Sequence, residues 1–371
     1  MRRRNFLTLL GAAVAWPRPV IGQPSKVYRI GLLSAGAPIA DNSSQGAALI
    51  RGFTQRGYKL GWNLAFERRG AEGHIDRLPR LVDELAASKV DVIVTFGYPP
   101  ALACKQATTL PVVVVAVDPV GTGLAESLAR PGANLTGISD VSAEVTPKRM
   151  ALLKEVAPQL RRVAMLWNAN DLGMTLRYRA SEAVAEALGI SVQPLGVREP
   201  NDFDQAFGTM TRDMPDAILM VTDSLTILNR KRVFEFAAAH RLPAIYEFDF
   251  LVREGGLMSY GPDQDETFDR VAALVDRILK GAKPAELPFE QPTRFHFALN
   301  LTTAKSLGLA VSSRLLAQAD EVIESVESVA QAAAKATEAT AAEVHRSRHH
   351  RPPPLSGYAA RTAMSPLGPV R

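Results

Sequence analysis

The sequence runs to 371 residues, 47% hydrophobic and 22% charged, with a formal net charge of +5 and one cysteine. The basicity sits at the ends: residues 1–23 carry four arginines and no acid, residues 325–371 carry six bases against three acids, and the stretch between is left at −2. A nucleic-acid binder needs a clustered basic face, so that class is excluded, and a lone cysteine excludes an intrachain disulfide.

The chain starts with Arg2, Arg3 and Arg4, an apolar run from Phe6 to Trp16, and a Pro- and Gly-bearing stretch ending near Gly22. That order predicts an export signal over residues 1–23, cut so that the mature protein begins near Gln23. Arg3-Arg4-Asn5-Phe6-Leu7 fits a twin-arginine leader, and a basic-headed Sec signal is the alternative. The apolar run is too short to span a bilayer, which takes about 20 residues. Cys104 lies far from the cut, so no lipid anchor is expected, and its setting in PALACKQAT predicts buried packing.

Beyond the leader, strand-like and helix-like runs alternate. VYRIGLLS (27–34) reads as a buried strand, followed by a helix over Ser44–Arg56 that Gly57 ends. Strands are expected at 63–68, 90–96, 111–117, 162–168, 190–196, 216–222 and 243–246. Helices fit 75–87, 146–157, 173–188, 201–212, 229–240 and 264–280. The alternation predicts an α/β fold of parallel sheets covered by helices. It is interrupted by DPVGTGLAESLARPGANLTGIS (118–139) and again by GGLMSYGPD (255–263), and RFHFALNLT (294–302) is a late strand. Two lobes joined by several crossings fit these seams better than one long sheet. Residues 325–371 differ in kind: an Ala-rich weak helix, then a Pro-, Arg- and His-bearing stretch that reads as disordered.

Seven blocks then carry a resemblance: GLLSAG (31–36), AEGHIDRLPRLVDELAASKVDVIVTFG (71–97), DPVGTGLAESLARPGANLTGIS (118–139), RLPAIYEFDF (241–250), GGLMSYGPD (255–263), ILKGAKPAELPFEQPTRFHFALNLTTAKSLGL (278–309) and ADEVIE (319–324). In number and order they resemble the substrate-binding components of ABC-type importers, a group that includes tryptophan and tyrosine binders. The resemblance spans Tyr28 to Glu324 and leaves the last 47 residues unaccounted for. It implies a type I periplasmic-binding-protein fold, with two Rossmann-like lobes, three crossings near Thr136–Asp140, Leu257–Pro262 and Phe295–Asn300, and a ligand in the cleft. The lobes would comprise 27–138 with 262–294, and 139–261 with 295–324. It further implies a monomer in the periplasm whose closed form is read by an ABC permease in the inner membrane.

Ligands of open α/β sheets sit beyond the carboxyl ends of the strands. The candidate contacts are therefore Ser34, Ala35, Gly36, Gly97, Tyr98 and Asp118 in the first lobe, with Asn168, Asp223, Ser224 and Tyr246 in the second. For a small amino-acid-like ligand, hydroxyls such as Ser34 and free N–H groups at helix starts would meet a carboxylate. Asp118 or Asp223 would meet an amine, and Tyr98 or Tyr246 would stack on an apolar group. Asp118 has the alternative of organising its turn, and Asp223 that of capping a helix. Trp167 reads as core.

No cofactor or metal is expected. GLLSAGAP lacks the third glycine of a dinucleotide loop, no phosphate loop or G-x-S-x-G elbow occurs, and His74, His240 and His296 stand isolated in sequence. An enzyme on a Rossmann-like scaffold is therefore the weaker rival. A ligand sensor that presents its closed form to a signalling receptor is the other, since it needs the same clamp.

Overall fold

The computed structural model of the protein describes residues 26–141 and 144–324. The expected leader and tail lie outside the described residues. The chain divides into a compact body that ends at Val322 and a second unit, Ile323–Arg371.

The first half of the body alternates strand and helix: β1 (Tyr28–Ser34), α1 (Ser44–Gln55), β2 (Leu64–Gly70), α2 (Leu78–Ala87), β3 (Val92–Phe96), α3 (Tyr98–Ala107), β4 (Val112–Val117) and β5 (Leu135–Asp140). The β-branched runs VIVTF and VVVVAV form the middle of the sheet, because a strand covered by helices on both faces must be almost wholly apolar, and the buried Thr95 hydroxyl donates to the Leu33 carbonyl at 2.8 Å. The five strands pair in the order β2-β1-β3-β4-β5, all parallel. Ser43 caps α1 by accepting from the Gly46 N–H at 3.0 Å. Gly57, at φ +86°, supplies the left-handed residue that ends it. Cys104 is fully buried in α3, and burial pushes its thiol up to about 12.

The second half runs α4 (Thr146–Val156), β6 (Arg162–Asn168), α5 (Leu172–Ala187), β7 (Ser191–Val197), α6 (Asp202–Arg212), β8 (Ala217–Met220), α7 (Ser224–Leu228), α8 (Arg230–Ala239), β9 (Ala244–Tyr246), α9 (Asp249–Arg253) and β10 (Met258–Pro262). After α10 (Gln264–Leu279) come β11 (Phe295–Asn300), α11 (Leu301–Ser306), α12 (Ser313–Gln318) and β12 (Glu321–Ile323). Seven strands form the second sheet in the order β12-β11-β10-β9-β8-β6-β7. It is not wholly parallel: β11 returns beside β10 in the opposite direction, Met258 facing Leu299 and Pro262 facing Phe295.

Each sheet with its helices is one lobe, and the chain passes between them at three places. It leaves the first sheet after Asp140 and returns after Pro262 to lay α10 against α1, where Phe268, Val271 and Ala272 share a core with Leu49 and Phe53. Residues 287–290 then run beside β5, with the Glu290 N–H donating to the Gly137 carbonyl and the Ser139 N–H to the Glu290 carbonyl. From there the chain enters β11. Burying each large side chain of this core contributes about 1.5–3 kcal/mol, so α10 belongs firmly to the first lobe although it follows the second in sequence.

Candidate functional site

Five helices start at one cavity between the lobes. The lining includes Gln45 from α1, Gly97, Pro99 and Pro100 at the start of α3, Asp171, Met174 and Arg177 from α5, Asp223, Ser224 and Ile227 from α7, and Gln264, Thr267 and Phe268 from α10. Strand ends complete it with Ala35, Phe96, Val115, Val117, Asp140, Asn168, Thr222 and Phe248. The cavity holds about 100 Å³, against roughly 10–15 Å³ for a single water. That is room for a small organic molecule.

Of the ten residues expected from strand ends, the structure brings Ala35, Gly97, Asn168, Asp223 and Ser224 to this cavity. The other five are elsewhere, each for a local reason. The Ser34 hydroxyl accepts from the Gly36 N–H at 3.0 Å, inside its own turn. Gly36 is buried against the opposite lobe, where a side chain would begin 3.3 Å from the Ser224 Cβ. Tyr98 opens α3 and packs, half-buried, against the first-lobe core cluster that includes Leu33 and Ala101. Asp118 is exposed, at φ +38°, and accepts from the Gly121 N–H at 2.8 Å, so it organises the turn after β4. Tyr246 is 1% exposed and packs edge-on to Phe234, because it is still within β9 and its alternation points to the helix-covered face. Phe248, past the strand, reaches the cavity instead.

The polar floor belongs to the second lobe. Asp223 caps α7: its carboxylate accepts from the Thr226 N–H at 2.8 Å and the Thr226 hydroxyl at 3.0 Å. It also accepts from the Asn168 amide at 2.6 Å. Asp171 caps α5 by accepting from the Met174 N–H at 3.1 Å. Burial and then the neighbouring charge of Asp223 push Asp171 up to about 7, and burial raises Asp223 as well. Neither carboxylate has a salt-bridge partner among the described residues.

The cation at this floor is otherwise engaged. Arg177, 1% exposed, donates from one terminal nitrogen to both Glu247 oxygens at 2.6 and 2.7 Å and from the other to Asp140. Arg149 lies 3.2 Å from the same Glu247 and donates from Nε to the Tyr260 carbonyl at 2.7 Å. Two arginines and two carboxylates thus balance within one buried network. The Nε of Arg177 is buried and has no hydrogen-bond partner among the described residues.

Opposite the floor, Phe96 and Phe268 meet at 5.5 Å, and with Pro99, Pro100 and Val115 they form an apolar wall. Trp167 stays out of the cavity and stacks on Tyr178 at 3.7 Å. Sequence reasoning missed Asp171, Arg177 and Phe248. Asp171 was signalled by its place just before the apolar start of a helix, but a capping residue need not line a cavity. Elsewhere, folding brings His296 to 3.8 Å from Asp249 and close to Glu321. Arg253 bonds both carboxylates at 2.7–2.8 Å, so this group is an ion-pair cluster.

The arrangement can hold a small amphiphilic molecule between two carboxylates and an apolar wall. A family model described as ABC transporter substrate binding protein matches residues 38–323. The chain is 24% identical over 274 residues to the tyrosine-binding protein of Clostridioides difficile (strain R20291), covering 73% of this chain and 78% of that relative. Its fold is that of a conserved domain protein from Vibrio cholerae (TM-score 0.74, 24% identity) and of an ABC domain from Streptococcus pneumonia solved with L-Trp (TM-score 0.72, 24% identity). In both cases 80% of this chain and 100% of the other is covered. Because the family match covers well over half of the sequence and every helix start at the cavity, the chain belongs to the ABC transporter substrate binding protein family.

Proposed function

We propose that this protein is the periplasmic solute-binding component of an ABC importer, closing its two lobes on one small amine-bearing molecule and presenting the closed form to an inner-membrane permease. It works as a monomer, exported by its arginine-headed leader, and releases its ligand chemically unchanged. The observation that carries this reading is the interlobe cavity itself, with Asp171 and Asp223 on one side and Phe96 and Phe268 on the other. A carboxylate that has no ionic partner in a low-dielectric site favours a ligand amine, and the phenyl rings favour an apolar body. Relatives named for tyrosine or solved with L-Trp carry both features in their ligands. Closure then follows from the ligand's greater affinity for the closed arrangement.

Native mass spectrometry on protein purified without refolding should find one small molecule per chain, recovered intact. Asp223→Ala should weaken its binding by about 1.5–3 kcal/mol, the range for a hydrogen bond to a charged group. Recovery of a chemically altered product, or an unchanged dissociation constant in the variant, would overturn the reading.

A further inference from the structure

Helix starts are the usual place for a carboxylate in such a cleft, since their N–H groups and dipoles favour an anion. Here four of the five starts are occupied or disabled. Asp171, Asp223 and Asp263 place their own carboxylates at the first turns of α5, α7 and α10. In α3, two of the first three positions are Pro99 and Pro100, which have no N–H to offer, and the Gly97 N–H donates to the Val115 carbonyl at 2.9 Å. Of the five starts, only those of α1, capped by Ser43, and α3, preceded by Gly97, carry no acidic cap, and the Ser43 hydroxyl already accepts from the Gly46 N–H at 3.0 Å.

Side chains give the same answer. Among the described residues Arg177 is the one cation in the lining, and Glu247 and Asp140 already hold it. Its free Nε can donate to a neutral acceptor, but no net positive charge remains for an anion. Asp171 and Asp223 meanwhile add two carboxylates whose partners are neutral donors.

We infer that the cleft is built for a ligand of net positive charge, an amine on an apolar body that carries no carboxylate. The inference rests on the solute-binding reading above and narrows it: aromatic amines bind, and the corresponding amino acids bind less well because their carboxylates meet the acidic helix starts. Asp171 is then a specificity-determining residue as well as a cap.

The test is isothermal titration of the full mature protein with tyramine against L-tyrosine and tryptamine against L-tryptophan, at pH 8. The expected result is that at least one amine binds about tenfold or more tightly than its amino acid. Asp171→Asn, which keeps the capping geometry, should weaken the amine and shrink that preference. Equal or tighter binding of the amino acids in both pairs would overturn this inference and leave the solute-binding reading standing. If none of the four binds, the inference falls, and the solute-binding reading falls with it only if the protein also retains no small molecule on purification.

Discussion

Asp171 is 2% exposed and has neutral donors on one side and the charge of Asp223 on the other. Its folded value near 7 exceeds the 3.8 of an unfolded carboxyl, so between those pH values the native state binds the extra proton. Ionised Asp171 therefore costs the ligand-free protein stability: the penalty is absent below about pH 4, grows as pH rises, and is complete above pH 7. Asp171→Asn removes that penalty while forfeiting an interaction with the helix dipole worth about 0.3–1 kcal/mol. Burial outweighs the dipole here, so the ligand-free variant should be more stable than wild type by about 1 kcal/mol or more at pH 8. The gain should shrink toward pH 4, which thermal melts across that range would check; a variant that melts lower at pH 8 would refute the account. Such a residue is hard to read from sequence, because capping and cavity lining need the same type at the same place. Ala35, Asn168 and Asp223 were legible as lining because strand ends fix where a Cα sits. Tyr98 and Tyr246 were not, because the rule leaves side-chain direction open.

At the level of elements, the strands and helices were legible nearly throughout, since Val-rich runs and helix caps are local signals. The partnerships between elements were less so. Nothing local says that α10, which follows β10, should pack on the first sheet, or that β11 should run antiparallel to β10. Glu266 shows how that crossing is secured. Its carboxylate accepts from the Thr293 hydroxyl, from the Arg294 and Thr293 N–H groups at 2.7 and 3.1 Å and from Arg270 at 2.9 Å, tying α10 to the segment that enters β11. Burial alone would raise it, but these donors prevail and hold it near 2. The stability it contributes is present above the ordinary carboxyl value of 4.5 and is lost as pH falls toward 2. Glu266→Gln should cost about 1.5–3 kcal/mol at pH 7 and lessen the loss of stability on acidification. Chemical denaturation at pH 7 and pH 3 would check both, and an equal deficit at the two values would show that the charge is not what matters.

Across the whole molecule, the lobes meet at small residues that let their backbones approach. Gly36 faces Ser224, Gly173 faces Val117 and Gly97 faces Asp171, so close that a Cβ added at any of the three would lie 3.3–3.4 Å from that neighbour across the cleft. These contacts exist only when the cleft is narrow, so they tax any added volume in the closed form and leave a wider form untouched. Gly36 is the cleanest probe. Its backbone is in a region open to every residue, and its turn keeps the Ser34 bond to its N–H. Gly36→Val puts two methyl groups where the Ser224 side chain already lies, without altering a polar group of the cavity floor. The variant should fold with nearly the wild-type melting temperature. It should bind about tenfold more weakly whichever of tyramine and L-tyrosine saturates the wild type, and it should contract less on adding that compound when followed by small-angle scattering. Weaker binding with undiminished contraction would mean that Gly36 touches the ligand instead of gating closure. Unchanged affinity would mean that the lobes need not approach this closely to hold it.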